Sequence, residues 1–251
     1  MTDTMNIDDY LAQGGVLTNP VNVPARYRGE LLRLMASFVD SELAGAAGFA
    51  GTVNDAPAIR SRIAAARMVQ EKLENAARVL SVMSEFGAST DRYENAHDWA
   101  ARAPRDAEIG AARQGGDMRL SVFHYPLQGW VDAVTMNVLM GLAAGIQMRD
   151  LTRVSYAPLA EVFREIAPRE ARHTAIGVAG LKQVVATPEG RARVQAALDY
   201  WRPRVAATFG TAGSARFDML KRMGLRHSRN EDLLSAWEAE VARTLAPLGL
   251  N

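Results

Sequence analysis

The chain has 251 residues and 48% apolar side chains, enough for a sizeable core, with a net charge of only +1 from 29 basic and 28 acidic groups. That balance gives no long-range electrostatic reason to expect nucleic acid or an anionic membrane as a partner. With no cysteine, disulfides, zinc–thiolate sites and thiol nucleophiles are excluded, and a reducing cytoplasm is the natural compartment.

Residues 1–25 are polar and broken by Gly14, Gly15, Pro20 and Pro24. They predict a flexible N-terminal arm without the basic start and apolar run of a signal peptide. Residues 26–251 read as a single helical domain. Leu31, Leu32, Met35, Phe38 and Val39 recur at helical spacing and predict a helix over 26–47. Asn54 and Asp55 before Pro57 predict the start of a second, which ends at Gly87. Residues 87–124 are irregular and charged, with a short helix expected near 91–100. Pro126 opens a third long helix to about residue 148. It holds the longest apolar stretch, but Asp132 and Asn137 keep it short of a clean membrane span. A fourth helix covers 158–186, with a kink predicted at Pro168. Thr187 and Pro188 start another, ending near Trp201 or Pro203, and Asn230 is expected to cap a last helix over 231–245. No strand pattern or solenoid repeat accompanies them. The expectation is an all-α protein: four long helices in two antiparallel pairs, extended by two or three C-terminal helices.

Around each long helix the apolar stripe contains a charged residue. On the first, Leu31, Met35, Phe38, Val39, Ala46 and Phe49 fall within about 60° of Glu42. On the second, Ala65, Met68, Val69, Ala76, Val79 and Met83 surround Lys72, with Asn75 on the flank and Glu71 and Glu74 pointing outward. Met136, Leu139, Ala143 and Ile146 surround Asp132, and Phe163, Ile166, Gly177 and Leu181 surround Glu170, with His173 one turn on. A single such residue is most often a long side chain lifting its head to water. Four together must neutralise one another or hold a metal, because burying unpaired charge costs several kcal/mol per ion. Charge counting accommodates both an internal ion-pair network and one divalent ion.

The segments RYRGELLRL followed by Ser41-Glu42, AAARMVQEKLENA, FHYPLQGWVDAV and EIAPREARHTAIG, in that order, resemble the phenylacetyl-CoA ring-epoxidase family over about residues 26–185. The likeness is strongest to its catalytic A subunit, and the related benzoyl-CoA epoxidase shares the bundle. The resemblance implies a ferritin-like four-helix bundle and a di-iron carboxylate centre. Glu42 and Asp132 fall on single metal carboxylates, and Glu170 with His173 on one Glu-x-x-His pair. The other pair is replaced by Lys72 and Asn75, so one bridging carboxylate and one imidazole are missing and an ammonium group takes an iron's place. A lysine there resembles the family's non-catalytic C subunit.

The resemblance therefore implies a structural or partner subunit in aromatic CoA-thioester (phenylacetate) catabolism, with an incomplete di-iron site and no cofactor. Such a chain would form a homodimer or a hetero-oligomer with related oxygenase subunits, and coenzyme A thioester is the implied ligand. The alternative is a catalytic oxygenase or oxidase with one iron or manganese ion on Glu42, Asp132, Glu170 and His173.

Other candidates read more plainly. A desolvated Lys72 could act as nucleophile or base, but nearby carboxylates favour the ion pair. His124 sits before the third helix and reads as surface or loop; His97 and His227 read as solvated. Arg60, Arg62 and Arg67 form a solvated helix face, Gly115-Gly116 lacks a strand-to-helix context for phosphate, and Trp130, Trp201 and Trp237 are packing residues.

Overall fold

The spacing of buried residues dictates a helical architecture, and a computed structural model describes it for residues 6–111, 113 and 116–250. Helix α1 (Ile7–Ala12) leads into α2 (Ala25–Ala50), and α3 (Ile59–Ser84) and α4 (Thr90–Glu94) follow. A long irregular segment then reaches α5 (Gly129–Leu151) and α6 (Ala157–Val184), with α7 (Pro188–Ala206), α8 (Phe217–Arg222) and α9 (Asn230–Leu245) completing the chain. Among the described residues the only β feature is one parallel bridge between Leu17 and Tyr156. The all-α, ferritin-like expectation holds.

Helices α2 and α3 pack as one pair and α5 and α6 as the other, and α3 packs on α6. The second pair is antiparallel, because Asn137 and Gly141 meet Gly177 and Thr174 in reverse order. On α6 the buried stripe is Leu159, Phe163, Ile166, Glu170, His173, Gly177 and Leu181, a three-to-four spacing with two ionisable members. Helix α5 is buried nearly all round because α6, α7 and α9 cover it. It is long and apolar enough to cross a membrane, yet 67% of that stretch is buried inside the bundle.

Two apolar clusters result. Trp201 and Trp237 anchor one with α5, α7 and α9; Tyr27, Tyr156 and Phe163 anchor the other with α2, α3 and α6. Both tryptophans are fully buried, and the Trp237 indole donates to the Leu139 carbonyl at 3.0 Å. Each such residue contributes about 1.5–3 kcal/mol through burial. Along α2 the stripe passes from Val39 in one cluster to Ala44 in the other, and the buried Asp40, Ser41 and Glu42 lie at the seam.

Several local expectations are corrected. The N-terminal segment, read as a loose arm, is anchored to the bundle at three points beyond residue 6. Ile7, Leu17 and Val23 are buried, and the Ala157 amide donates to the Leu17 carbonyl at 2.8 Å. Residues 1–5 lie outside the described residues. Helix α5 starts at Gly129 rather than Pro126, because Gly129 has φ +78° and a left-handed residue cannot carry a right-handed helix backwards. Helix α7 runs past Trp201 and Pro203 to Ala206. Asn230 is the first residue of α9 and caps nothing. Its side chain instead donates to the Thr211 carbonyl and accepts from Arg226. The short α8 carries too little periodic signal to stand out in the sequence.

The irregular segment between α4 and α5 is held by side chains. The Asp40 carboxylate accepts from the Tyr93 hydroxyl at 2.5 Å and the Met118 amide at 2.6 Å. Arg102 donates to the Ala44 carbonyl at 2.8 Å, and Arg119 pairs with Asp117 at 2.8 Å, both buried. Orphan backbone groups thus find partners outside any regular element.

Candidate functional site

Three helices bring their polar core residues together. The Lys72 ammonium on α3 lies 3.1 Å from Glu42 Oε1 on α2 and 3.4 Å from Glu170 Oε2 on α6. One turn along α3, the Asn75 amide nitrogen donates to Glu42 Oε2 at 3.2 Å and to Glu170 Oε1 at 3.1 Å. The lysine and amide therefore tie the two carboxylates together twice. All four side chains are buried: Asn75 is 0% exposed, Glu170 4%, and Glu42 and Lys72 7% each.

Electrostatics follows from that geometry. Burial pushes the Lys72 ammonium down, but Glu170 and Glu42 outweigh it and hold the pKa above the ordinary lysine value. This ammonium is a fixed cation, so the nucleophile or base reading has no support in the site. Burial pushes Glu42 up; Lys72 opposes and the Glu170 charge reinforces it, leaving Glu42 at about 7. Burial also pushes Glu170 up, but Lys72 and then His173 outweigh it and hold the carboxyl at about 2. One carboxylate keeps its charge against the shared cation, and the other holds its proton more readily.

His173 is 1% exposed and lies between two acids. Its Nε2 is 2.5 Å from Glu71 Oε2, and its Nδ1 is 3.3 Å from Glu170 Oε1 without hydrogen-bond alignment. Glu71 also accepts from Arg172 at 2.7 Å. Burial pushes Glu71 up, but the hydrogen bonds from His173 and Arg172 outweigh it and lower its pKa. The sequence pattern sends Glu71 outward. Its Cα does lie on the flank, but its carboxylate swings back over the site. A long side chain reaches across the edge of a stripe, which an angle measured at Cα does not capture.

Asp132 is not part of this cluster. It is buried, as its place in the stripe implies, but its carboxylate pairs with Arg105 at 2.5 Å and accepts the Gln128 amide at 3.0 Å. On α5, the Asn137 amide donates to the His173 carbonyl at 3.1 Å, and Gly141 lies against Thr174, the neighbour of His173. Asp132 stands nine positions before Gly141, about 13.5 Å along the helix axis. Helical angle located the correct face, but not the correct height. The Arg105 guanidinium lies 3.7 Å over the Tyr200 ring on α7, so Asp132 fastens the irregular segment to the bundle end.

These residues do not fit a pair of irons. The ammonium occupies the space between Glu42 and Glu170, and N–H donors engage the oxygens that would bridge metals. Asn75 Oδ1 and His173 Nδ1 are buried without hydrogen-bond partners, yet among the described residues no group of three or more His, Asp or Glu is arranged to hold a metal ion.

The other candidates lie elsewhere. His124 stands 4.0 Å from Asp117; burial, then Arg119, lowers its pKa. His97 packs edge-on against Trp99, and the His227 ring contacts the Arg153 carbonyl at 3.0 Å; both are half-buried rather than solvated. Arg60, Arg62 and Arg67 are exposed on α3. Gly115 lies outside the described residues. A cleft of about 630 Å³ reaches from the surface to the cluster, with Arg33, Ser37, Ser41 and Met140 in its walls and Glu42 and Lys72 at its floor.

Comparison with known proteins relates the chain to one family. The 1,2-phenylacetyl-CoA epoxidase of Escherichia coli (strain K12) has an A subunit that is 25% identical over 175 residues, covering 69% of this chain. The matched part is 51% of that relative's length, so this chain spans about half of it. A family model described as phenylacetic acid catabolic protein matches residues 16–251, including the C-terminal helices left outside the sequence resemblance. The chain belongs to the phenylacetic acid catabolic protein family.

Proposed function

We propose that this chain is a phenylacetyl-CoA oxygenase-like protein whose centre works without metal, serving as a structural or partner subunit in the breakdown of an aromatic CoA thioester. The observation that carries the reading is the placement of Lys72 within ion-pair distance of both Glu42 and Glu170. A cation covalently fixed to α3 balances the acids that a bound cation would otherwise neutralise, and joins α2 to α6 through α3.

The mononuclear iron or manganese alternative needs Glu42, Asp132, Glu170 and His173 around one ion. Asp132 is committed to Arg105, and His173 Nε2 to Glu71, so no observation favours it. The cleft above Lys72 suits a thioester with an acidic headgroup, since apolar walls lead to arginines including Arg33 and Arg113. Related oxygenase subunits are the proposed partners, in a cytoplasmic complex; the similar epoxidase chain is itself named as one part of a larger enzyme. A homodimer is the simpler assembly.

The test is elemental analysis of protein purified from culture supplemented with iron and manganese. The reading predicts far less than one ion per chain. Stoichiometric metal that disappears in His173→Ala would overturn it.

A further inference from the structure

A second cavity, of about 240 Å³, opens at the end of the bundle between α3, α5 and α6. Its shape follows from small residues at one level of three helices. Ala64 and Ala65 on α3 and Ala133 on α5 leave space that larger side chains would fill, and Gly180 on α6 completes the lining. Met68, Val134 and Trp130 supply apolar walls. Asn137 contributes to the lining, and Met68 lies one turn from Lys72 on α3.

The mouth has a different character. Arg60 and Ser61 belong to the first turn of α3, and Gln183 to the last turn of α6. The antiparallel course of these helices puts the three at one height, as the deeper Glu74–Arg169 and Glu71–Arg172 pairs require. Arg60 is exposed and makes no ion pair or hydrogen bond among the described residues. An apolar cavity with an uncommitted guanidinium at its rim is complementary to an anionic head on an apolar tail. A cavity of about 150 Å³ already accepts benzene, so the available 240 Å³ admits one ring or a short chain and excludes a nucleotide.

We propose that this cavity binds a small apolar carboxylate, with its carboxylate on Arg60 and its tail between Met68, Trp130 and Val134. Phe49 and Asn137 line both this cavity and the cleft over Lys72, but the proposal does not depend on whether the centre lacks metal.

Calorimetric titration and saturation-transfer NMR with benzoate, hexanoate, toluene and acetate test the proposal on the intact chain. Benzoate or hexanoate should bind at sub-millimolar concentration, whichever is tighter distinguishing ring from chain, and acetate should not bind. Arg60→Gln should weaken carboxylate binding at least tenfold while leaving toluene binding unchanged. Ala64→Leu and Ala179→Leu, both at positions that line the cavity and both checked for native helix content, should abolish binding by filling the space; Ala179 lies at the exposed rim, which keeps the second variant foldable. Equal affinity for acetate, no binding by either longer acid, or binding unchanged in the folded filling variants would overturn the proposal.

Discussion

Replacing Lys72 by Met keeps an unbranched apolar stem of similar length but removes the charge that Glu42 and Glu170 share. At an effective dielectric of about 20, an ion pair at 3.1 Å is worth about 5 kcal/mol of Coulomb energy. The net loss is smaller than the sum of two such pairs, because Lys72 itself no longer has to be desolvated. Breaking buried pairs by removing one partner costs about 3–5 kcal/mol, since it leaves uncompensated charge, and that is the expected loss at pH 8. With a urea slope of about 3 kcal/mol per molar, the midpoint should fall by about 1–1.7 M. The deficit should shrink towards pH 5, where both unpaired carboxyls take up protons in the folded variant. Helix circular dichroism during urea unfolding at the two pH values reads both effects. A variant within about 0.5 kcal/mol of the parent at pH 8, the range of ordinary surface changes, would refute the reasoning.

The two acids also predict opposite pH limbs. Glu42, at about 7 when folded against an ordinary 4.5, contributes stability that is fully present below pH 4.5 and lost as pH rises through 7. Glu170, at about 2, contributes stability present above 4.5 and lost as pH falls towards 2. Each limb is about 3 kcal/mol deep. Glu42→Gln should therefore flatten the decline between pH 4.5 and 7, and an unchanged urea profile would count against the assignment. Asp132→Ala should cost about 1–3 kcal/mol by leaving Arg105 and the Gln128 amide without their acceptor. It should not alter the pH limb of Glu42, and an altered limb would return Asp132 to the cluster. The double change Lys72→Glu with Asn75→His restores a carboxylate and an imidazole at the centre. It should gain about one iron per chain by elemental analysis, because Asp132 remains out of reach; no gain would mean that the surrounding site has also diverged.

Most of the helical frame was legible because its signals are long and periodic. The stripe on α6 alone identifies Glu170 and His173 as core residues, and Glu42 and Lys72 follow from the same reasoning on α2 and α3. Periodicity reports an angle around one axis, so it could not show that Asp132 lies about two and a half turns of helix from the level of His173. Nor could it follow Glu71, whose backbone sits on the flank while its carboxylate reaches His173. Signals shorter than two turns were harder still. The packed segment around Leu17 and Val23 and the helix at Phe217–Arg222 depend on contacts far apart in sequence. The segment between α4 and α5 is ordered by Asp40, Arg102, Arg105 and Arg119, whose partners no local pattern reveals.

The centre itself can be interrogated by anomalous diffraction at the iron and manganese edges, using crystals of protein grown with both metals. The account predicts continuous density for Lys72 reaching both Glu42 and Glu170, with no anomalous peak between the helices. A metal peak between those carboxylates, with the lysine turned towards solvent, would contradict it.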